Sequence, residues 1–230
     1  MTIINDLHQK QIDAAGWLRE KHLHQWRSSD AALLLLGKNL PNFESEACLL
    51  KSVAVNAVYG TNVLAIVQVA NLLPHVLNQH DLSRAGVKLV CEIANVLKAN
   101  ALSSRTFTSF ASKFCHFFVD AERFPIYDNA ACMALKLHFD ERVEAHDYEA
   151  FCGCITDLKK SVGNGCDARM LDRYLWLSGM YMRWLSQQEK DKPIVNAELL
   201  KLFKYPTEEQ KAWLDAMLPE NLERTFKGEA

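Results

Sequence analysis

The sequence predicts an all-α protein, and three observations carry that prediction. Apolar residues recur at spacings of three and four, as in Leu89, Ile93, Val96 and Leu97 and again in Leu171, Leu175, Ser178 and Met182. Strand-like alternation is almost absent. Residues that start or stop helices stand between the apolar stretches, among them Asp128, Asp167, Thr207 and the Gly163-Asn164-Gly165 run.

Taken in order, helices are expected near 4–27, 29–36, 44–58 and 61–78, with Gly60 as the junction between the third and fourth. The next is expected at 82–99, carried by the Leu89 series. The 103–119 segment is apolar nearly all round, which predicts a central helix. Asp128 opens 128–139, 146–162 stops at Gly163, and Asp167 opens 167–188. Two shorter helices follow near 195–203 and 207–217, the second behind Thr207 with Glu208 and Glu209 in its first turn. About ten helices must then pack as a compact globular array. The polar Gln187 to Pro193 stretch is the expected linker, dividing a domain over 1–193 from a carboxy-terminal appendage over 194–230.

Composition limits function. A chain of 230 residues, 49% of them apolar, has enough material for a large core in one domain or two tightly joined ones. With 26 basic and 28 acidic side chains the net charge is -2, so no whole-molecule positive field recruits nucleic acid, and any such site must be a local basic patch. Seven irregularly spaced cysteines and the lack of a basic segment leading into an apolar run predict a cytoplasmic protein with reduced thiols. The Val63 to Val76 window is broken by Gln68, Asn71, Pro74 and His75, short of the ~20 apolar residues that span a bilayer, so no membrane partner is expected.

The stretch from Ser109 to Leu135 carries the chemistry. Lys113 and His116, three apart, share a face of an apolar helix. Burial disfavours a charged amine, and a free amine attacks electrophilic carbon. Arg123 and Pro125 then force a turn, and Asp128 stands fifteen residues after Lys113, within reach of a helix and a return turn. The same residues also fit a lysine snorkelling to solvent and an aspartate that caps a helix.

Ser109-Phe110-Ala111-Ser112-Lys113-Phe114-Cys115-His116-Phe117-Phe118, followed by Phe124-Pro125-Ile126-Tyr127-Asp128, resembles the core of the helix–hairpin–helix DNA glycosylase superfamily, in particular its 8-oxoguanine glycosylase branch. The resemblance implies that Lys113 is a nucleophile that displaces a damaged base and forms a Schiff base with the deoxyribose. It also implies that Asp128 assists displacement and stabilises positive charge on the sugar, and that DNA is the partner, with the target nucleotide flipped into a pocket. The hairpin place is taken by Ser103 to Ser109. No glycine lies between Gly86 and Gly153, so Ser104, Arg105, Thr108 and Ser109 are the candidate phosphate contacts. Tyr127 and Asn129 stand beside Asp128 as candidate substrate contacts, together with His116.

Asn56, Tyr59 and Asn62 interrupt an apolar region near Gly60 and are further candidates to hydrogen-bond a substrate, or else the polar groups of a helix junction. Neither metal nor cofactor is expected. His22 and His24 diverge on a helix, Cys152 and Cys154 lack a second pair, and no cysteine follows Cys166. Glycine-rich nucleotide fingerprints are absent. Arg169, Arg173 and Arg183 of the aromatic 169–184 helix, with Lys159 and Lys160, are either a basic rim or solvated faces. The other function class is a non-catalytic helical interaction protein with a protein partner.

Overall fold

The structure is a computed structural model that describes residues 1–163, 165–186 and 196–220. Among them the chain forms twelve helices and no strand: α1 Gln9–His22, α2 His24–Asn39, α3 Ser45–Tyr59, α4 Ile66–Asn78, α5 Val87–Ala94, α6 Val96–Ala99, α7 Thr108–Phe118, α8 Asn129–Leu135, α9 Tyr148–Val162, α10 Ala168–Ser186, α11 Ala197–Lys204 and α12 Glu208–Met217. The all-α expectation holds.

Boundaries differ where side chains compete with the periodic pattern. The first expected helix, 4–27, begins only at Gln9 and breaks at Leu23. The residues before it pair with the chain after α8: the Ile4 amide donates to the His138 carbonyl at 2.8 Å, and Ile3 faces Phe139 in an isolated antiparallel bridge. The expected 82–99 helix is interrupted at Asn95, whose side-chain amide donates to the Cys91 carbonyl at 2.9 Å. Asn competes in this way with helical hydrogen bonding. Asp167 and Thr207 cap as expected, accepting from the Met170 amide at 2.7 Å and the Gln210 amide at 3.2 Å.

Two compact units make up the molecule. The first gathers residues 1–27, 129–143 and the described residues from 153 onward; the second gathers 28–128 and 144–152. The expected linker at 187–193 and the start of the appendage at 194 lie outside the described residues.

In the first unit α10 packs on α8 and α1, and α1 on α12. Gly179 lets α10 approach α8, because a Cβ there would run into the Ala130 backbone. His138 is fully buried; its Nδ1–H donates to the Asn5 carbonyl at 2.8 Å and its Nε2 accepts from the Tyr174 hydroxyl at 2.7 Å. Both ring nitrogens are satisfied by the neutral form, and burial lowers the pKa to about 4.

In the second unit α7 packs on α5 and α3, and α4 on α3, α5 and α6. Phe110, Ala111, Phe114 and Cys115 of α7 are buried, which is the central position its apolar circumference predicts. α7 is the element that carries Lys113.

Candidate active site

The hairpin ahead of α7 is built without glycine. After α6, Ala101 turns left-handed at φ 56°; its amide donates to the Lys98 carbonyl at 3.1 Å and the Leu102 amide to the Leu97 carbonyl at 2.8 Å. These are the two bonds of a Schellman motif, with alanine at the position where glycine avoids the Cβ penalty. The loop is then tied back to the break at Asn95: Thr106 Oγ1 donates to Asn95 Oδ1 at 3.0 Å, and the Phe107 amide to the Ala94 carbonyl at 2.9 Å. α7 therefore starts at a fixed place.

The return turn after α7 is equally fixed. Asp120 accepts from the Glu122 amide at 2.9 Å and from Arg123 Nε at 2.8 Å, while the Arg123 guanidinium also donates to the Ala85 and Leu82 carbonyls, each at 2.8 Å. His116 Nδ1–H donates to the Phe124 carbonyl at 3.0 Å, and the Tyr148 hydroxyl to the Pro125 carbonyl at 2.9 Å. The chain thereby arrives at Asp128 alongside the first turn of α7.

Lys113 and Asp128 meet there. Lys113 Nζ donates to Asp128 Oδ2 at 3.0 Å and to Ser109 Oγ, one turn earlier on α7, at 2.9 Å. It lies 5.3 Å from the centre of the Tyr59 ring. The lysine side chain is 3% exposed and the aspartate 18%, so the carboxylate is the more open member of the pair. A buried amine in contact with a half-buried carboxylate and a hydroxyl has a proton acceptor at hand, which is what an amine nucleophile needs.

The other expected contacts distribute differently. Asn56 is consumed by its own loop: its Oδ1 accepts from the Thr61 hydroxyl at 2.7 Å and the Val63 amide at 3.0 Å, and its Nδ2 donates to the Val63 carbonyl at 3.2 Å. Tyr59 presents its ring to Lys113 while its hydroxyl donates to Asp30 at 2.6 Å. Asn62 is exposed and left-handed at φ 55°. His116 is buried and holds the return turn rather than facing solvent.

Tyr127 is buried too. Its hydroxyl accepts from the His146 amide at 2.9 Å, and its ring meets Phe151 edge-on at 5.2 Å. Asn129 is exposed and opens α8. Of the four hairpin residues, Ser104 and Arg105 are exposed, with the Arg105 guanidinium over Phe107. Thr108 is buried against His146 Nδ1 at 3.0 Å, and Ser109 belongs to the Lys113 amine.

Sequence reasoning missed Ser112 and Lys51. Ser112 lies beside Lys113, and its Oγ accepts from the Tyr127 amide at 3.0 Å. Lys51 is buried on α3, where its spacing from Cys48 and Val55 on the same face is a legible signal. Among the described residues no three His, Cys, Asp or Glu side chains are grouped to hold a metal, and no helix is long and apolar enough to cross a membrane.

A family model described as HI_0787_N, N-terminal domain, matches residues 5–123, just over half of the chain and inclusive of Lys113. No curated protein and no solved structure matches the chain.

Proposed function

We propose, for a chain that belongs to the HI_0787_N family through its N-terminal domain, that Lys113 and Asp128 form the active site of a DNA glycosylase-like base-excision enzyme. The observation that carries this reading is the buried Lys113 amine held 3.0 Å from the Asp128 carboxylate at the foot of a helix–loop–helix hairpin.

The chemistry follows from the pair. Lys113 Nζ passes a proton to Asp128 along their hydrogen bond, and its lone pair attacks C1′ of a flipped nucleotide. As the N–C1′ bond forms, the bond from C1′ to the base breaks, and the base leaves with that electron pair and takes the proton that Asp128 received from Lys113. The attached nitrogen then passes a proton to the ring oxygen as the bond from C1′ to that oxygen breaks, which gives the protonated imine. With its proton given to the base, Asp128 is again a carboxylate and stabilises the positive charge on the sugar carbon and the attached nitrogen. Water then adds to the imine and frees the lysine.

The test is covalent trapping. Borohydride reduces an imine to a stable amine, so incubation with duplexes carrying oxidised, alkylated and otherwise modified bases should give a protein–DNA adduct that Lys113→Gln removes. Absence of both adduct and base release, from protein shown to be folded by circular dichroism, would overturn the reading.

A second reading has its own observation. Leu50 and Val53 on α3, Leu64 in the following loop and Val67 on α4 are all exposed, Leu64 at 92%. Exposed apolar side chains gathered on α3, α4 and the loop that joins them support a protein-interaction role on the same scaffold. That role predicts no salt-sensitive binding to damaged duplex, whereas phosphate contacts make affinity fall as salt rises.

A further inference from the structure

We infer that Ser112 is the positioning residue that sets Asp128 against Lys113; the inference about catalysis rests on the proposed base-excision reading, while the inference about geometry does not. Adjacent helical residues point about 100° apart, so α7 presents Lys113 to the Asp128 carboxylate and Ser112 to the main chain just before it. Ser112 is fully buried. Its Oγ accepts from the Tyr127 amide at 3.0 Å and donates to the Ser109 carbonyl at 3.2 Å, with the Tyr127 carbonyl at 3.4 Å on the same hydroxyl.

One hydroxyl thus joins the first turn of α7 to the peptide that delivers Asp128. Because a hydroxyl both donates and accepts, it satisfies the Tyr127 amide and an α7 carbonyl together. The tip of Tyr127 is anchored separately by the His146 amide at 2.9 Å, and Pro125 by the Tyr148 hydroxyl. Ser112 is therefore a direct tie between the helix that carries the amine and the residue next to Asp128, while His116 of the same helix holds the turn farther back at Phe124. An aspartate has a short stem, so its carboxylate follows its backbone closely. A shift of about 1 Å is enough to lose a well-aligned hydrogen bond.

Removing Oγ takes away the acceptor 3.0 Å from the Tyr127 amide and loosens the backbone at Tyr127 from α7. Alanine does this with the least change in volume. Cysteine keeps a comparable volume but offers sulfur, a weak acceptor, and threonine keeps the oxygen.

Two measurements test the inference on the full chain. The first needs no activity: the non-additivity of Lys113→Met and Asp128→Asn in urea-unfolding midpoints is measured with Ser112 present and again with Ser112→Ala. The coupling should fall by at least half with alanine. Should the alanine variant fail to fold, Ser112→Cys is compared with Ser112→Thr, and the coupling should be retained only with threonine. Undiminished coupling in the alanine variant, or in the cysteine variant used in its place, overturns the inference.

The second measurement uses single-turnover base release from whichever duplex the wild-type protein processes. Ser112→Ala should slow the maximal rate tenfold or more with little change in the substrate concentration for half-maximal rate, and Ser112→Thr should restore most of it. An unchanged maximal rate in the alanine variant overturns the positioning role in catalysis. If the wild-type protein releases no base, the base-excision reading fails and the coupling measurement still decides whether Ser112 sets the pair.

Discussion

The second unit buries two lysines, and their surroundings are opposite. Lys113 on α7 and Lys51 on α3 are 2% and 1% exposed. Lys113 Nζ has a carboxylate at 3.0 Å and a hydroxyl at 2.9 Å. Lys51 Nζ donates to the Asn42 carbonyl at 2.7 Å and lies over two rings, 3.9 Å from the centre of Phe43 and 5.3 Å from that of Phe118. Burial alone therefore does not mark a reactive amine. A carbonyl and two aromatic faces stabilise an ammonium but offer no group that can accept its proton, whereas Lys113 has a carboxylate beside it that is itself partly open to solvent. Burial holds the Lys51 amine below the ordinary lysine range.

The largest expected contrast is in covalent chemistry. Lys113→Gln should abolish the borohydride-trapped adduct, and Lys51→Met should leave it at a level near that of the wild-type protein. Gel-shift of the trapped complex reads both. An adduct that survives at Lys113 and vanishes at Lys51 would reverse the assignment of the two amines.

Stability gives the next contrast. Asp128→Asn deprives a buried ammonium of its countercharge, and leaving a buried charged group poorly partnered costs about 2–3 kcal/mol, somewhat less here because the carboxylate is partly solvated. Lys51→Met replaces a buried cation by an apolar side chain of similar length, an exchange that is often neutral or favourable to within about 1 kcal/mol. Urea denaturation of the two variants distinguishes these outcomes. Equal losses would mean that the aromatic surround of Lys51 stabilises it as well as a carboxylate stabilises Lys113.

How far the sequence reached follows the same physics. The near-continuous apolar circumference of 103–119 placed α7 in a core, and the Pro125 turn placed Asp128 within range of Lys113, because both are local signals. Thr207 and Asp167 were legible as caps for the same reason. What was not legible depends on partners remote in sequence or on a single hydroxyl. Residues 2–5 lie outside α1 because their hydrogen bonds go to the chain around His138, more than 130 positions away. Asn56 looked available for a ligand, yet the loop it precedes bonds both ends of its amide group. Arg123 looked like a turn residue, and its guanidinium in fact ties two carbonyls of the 82–85 segment. Lys51 stood in a plain helical pattern, and only its face, shared with buried Cys48 and Val55, marked it.

The smallest expected effect is in alkaline pH, and it sharpens the contrast from the side of Lys51. The folded chain holds this amine below its ordinary value of 10.5, so between the folded and unfolded values the unfolded chain binds more protons. Stability from this group is accordingly lowest while the amine is charged and rises as pH climbs toward 10.5. Cys48, one turn earlier on α3, works against it: burial pushes its thiol from 9.0 up to about 11, so the folded state resists an ionisation that the unfolded state makes more readily, and stability falls as pH rises above 9. The two opposing slopes partly cancel in the wild-type protein. Lys51→Met removes the rising one, so any advantage of the variant over the wild-type protein should shrink steadily as pH climbs toward 10.5, read as the difference in urea midpoints. Repeating the comparison in a Cys48→Ala background leaves the lysine slope alone. A difference that stays flat in that background would mean that the Phe43 and Phe118 faces offset the desolvation of Lys51 fully, and that its burial carries no penalty for the charge.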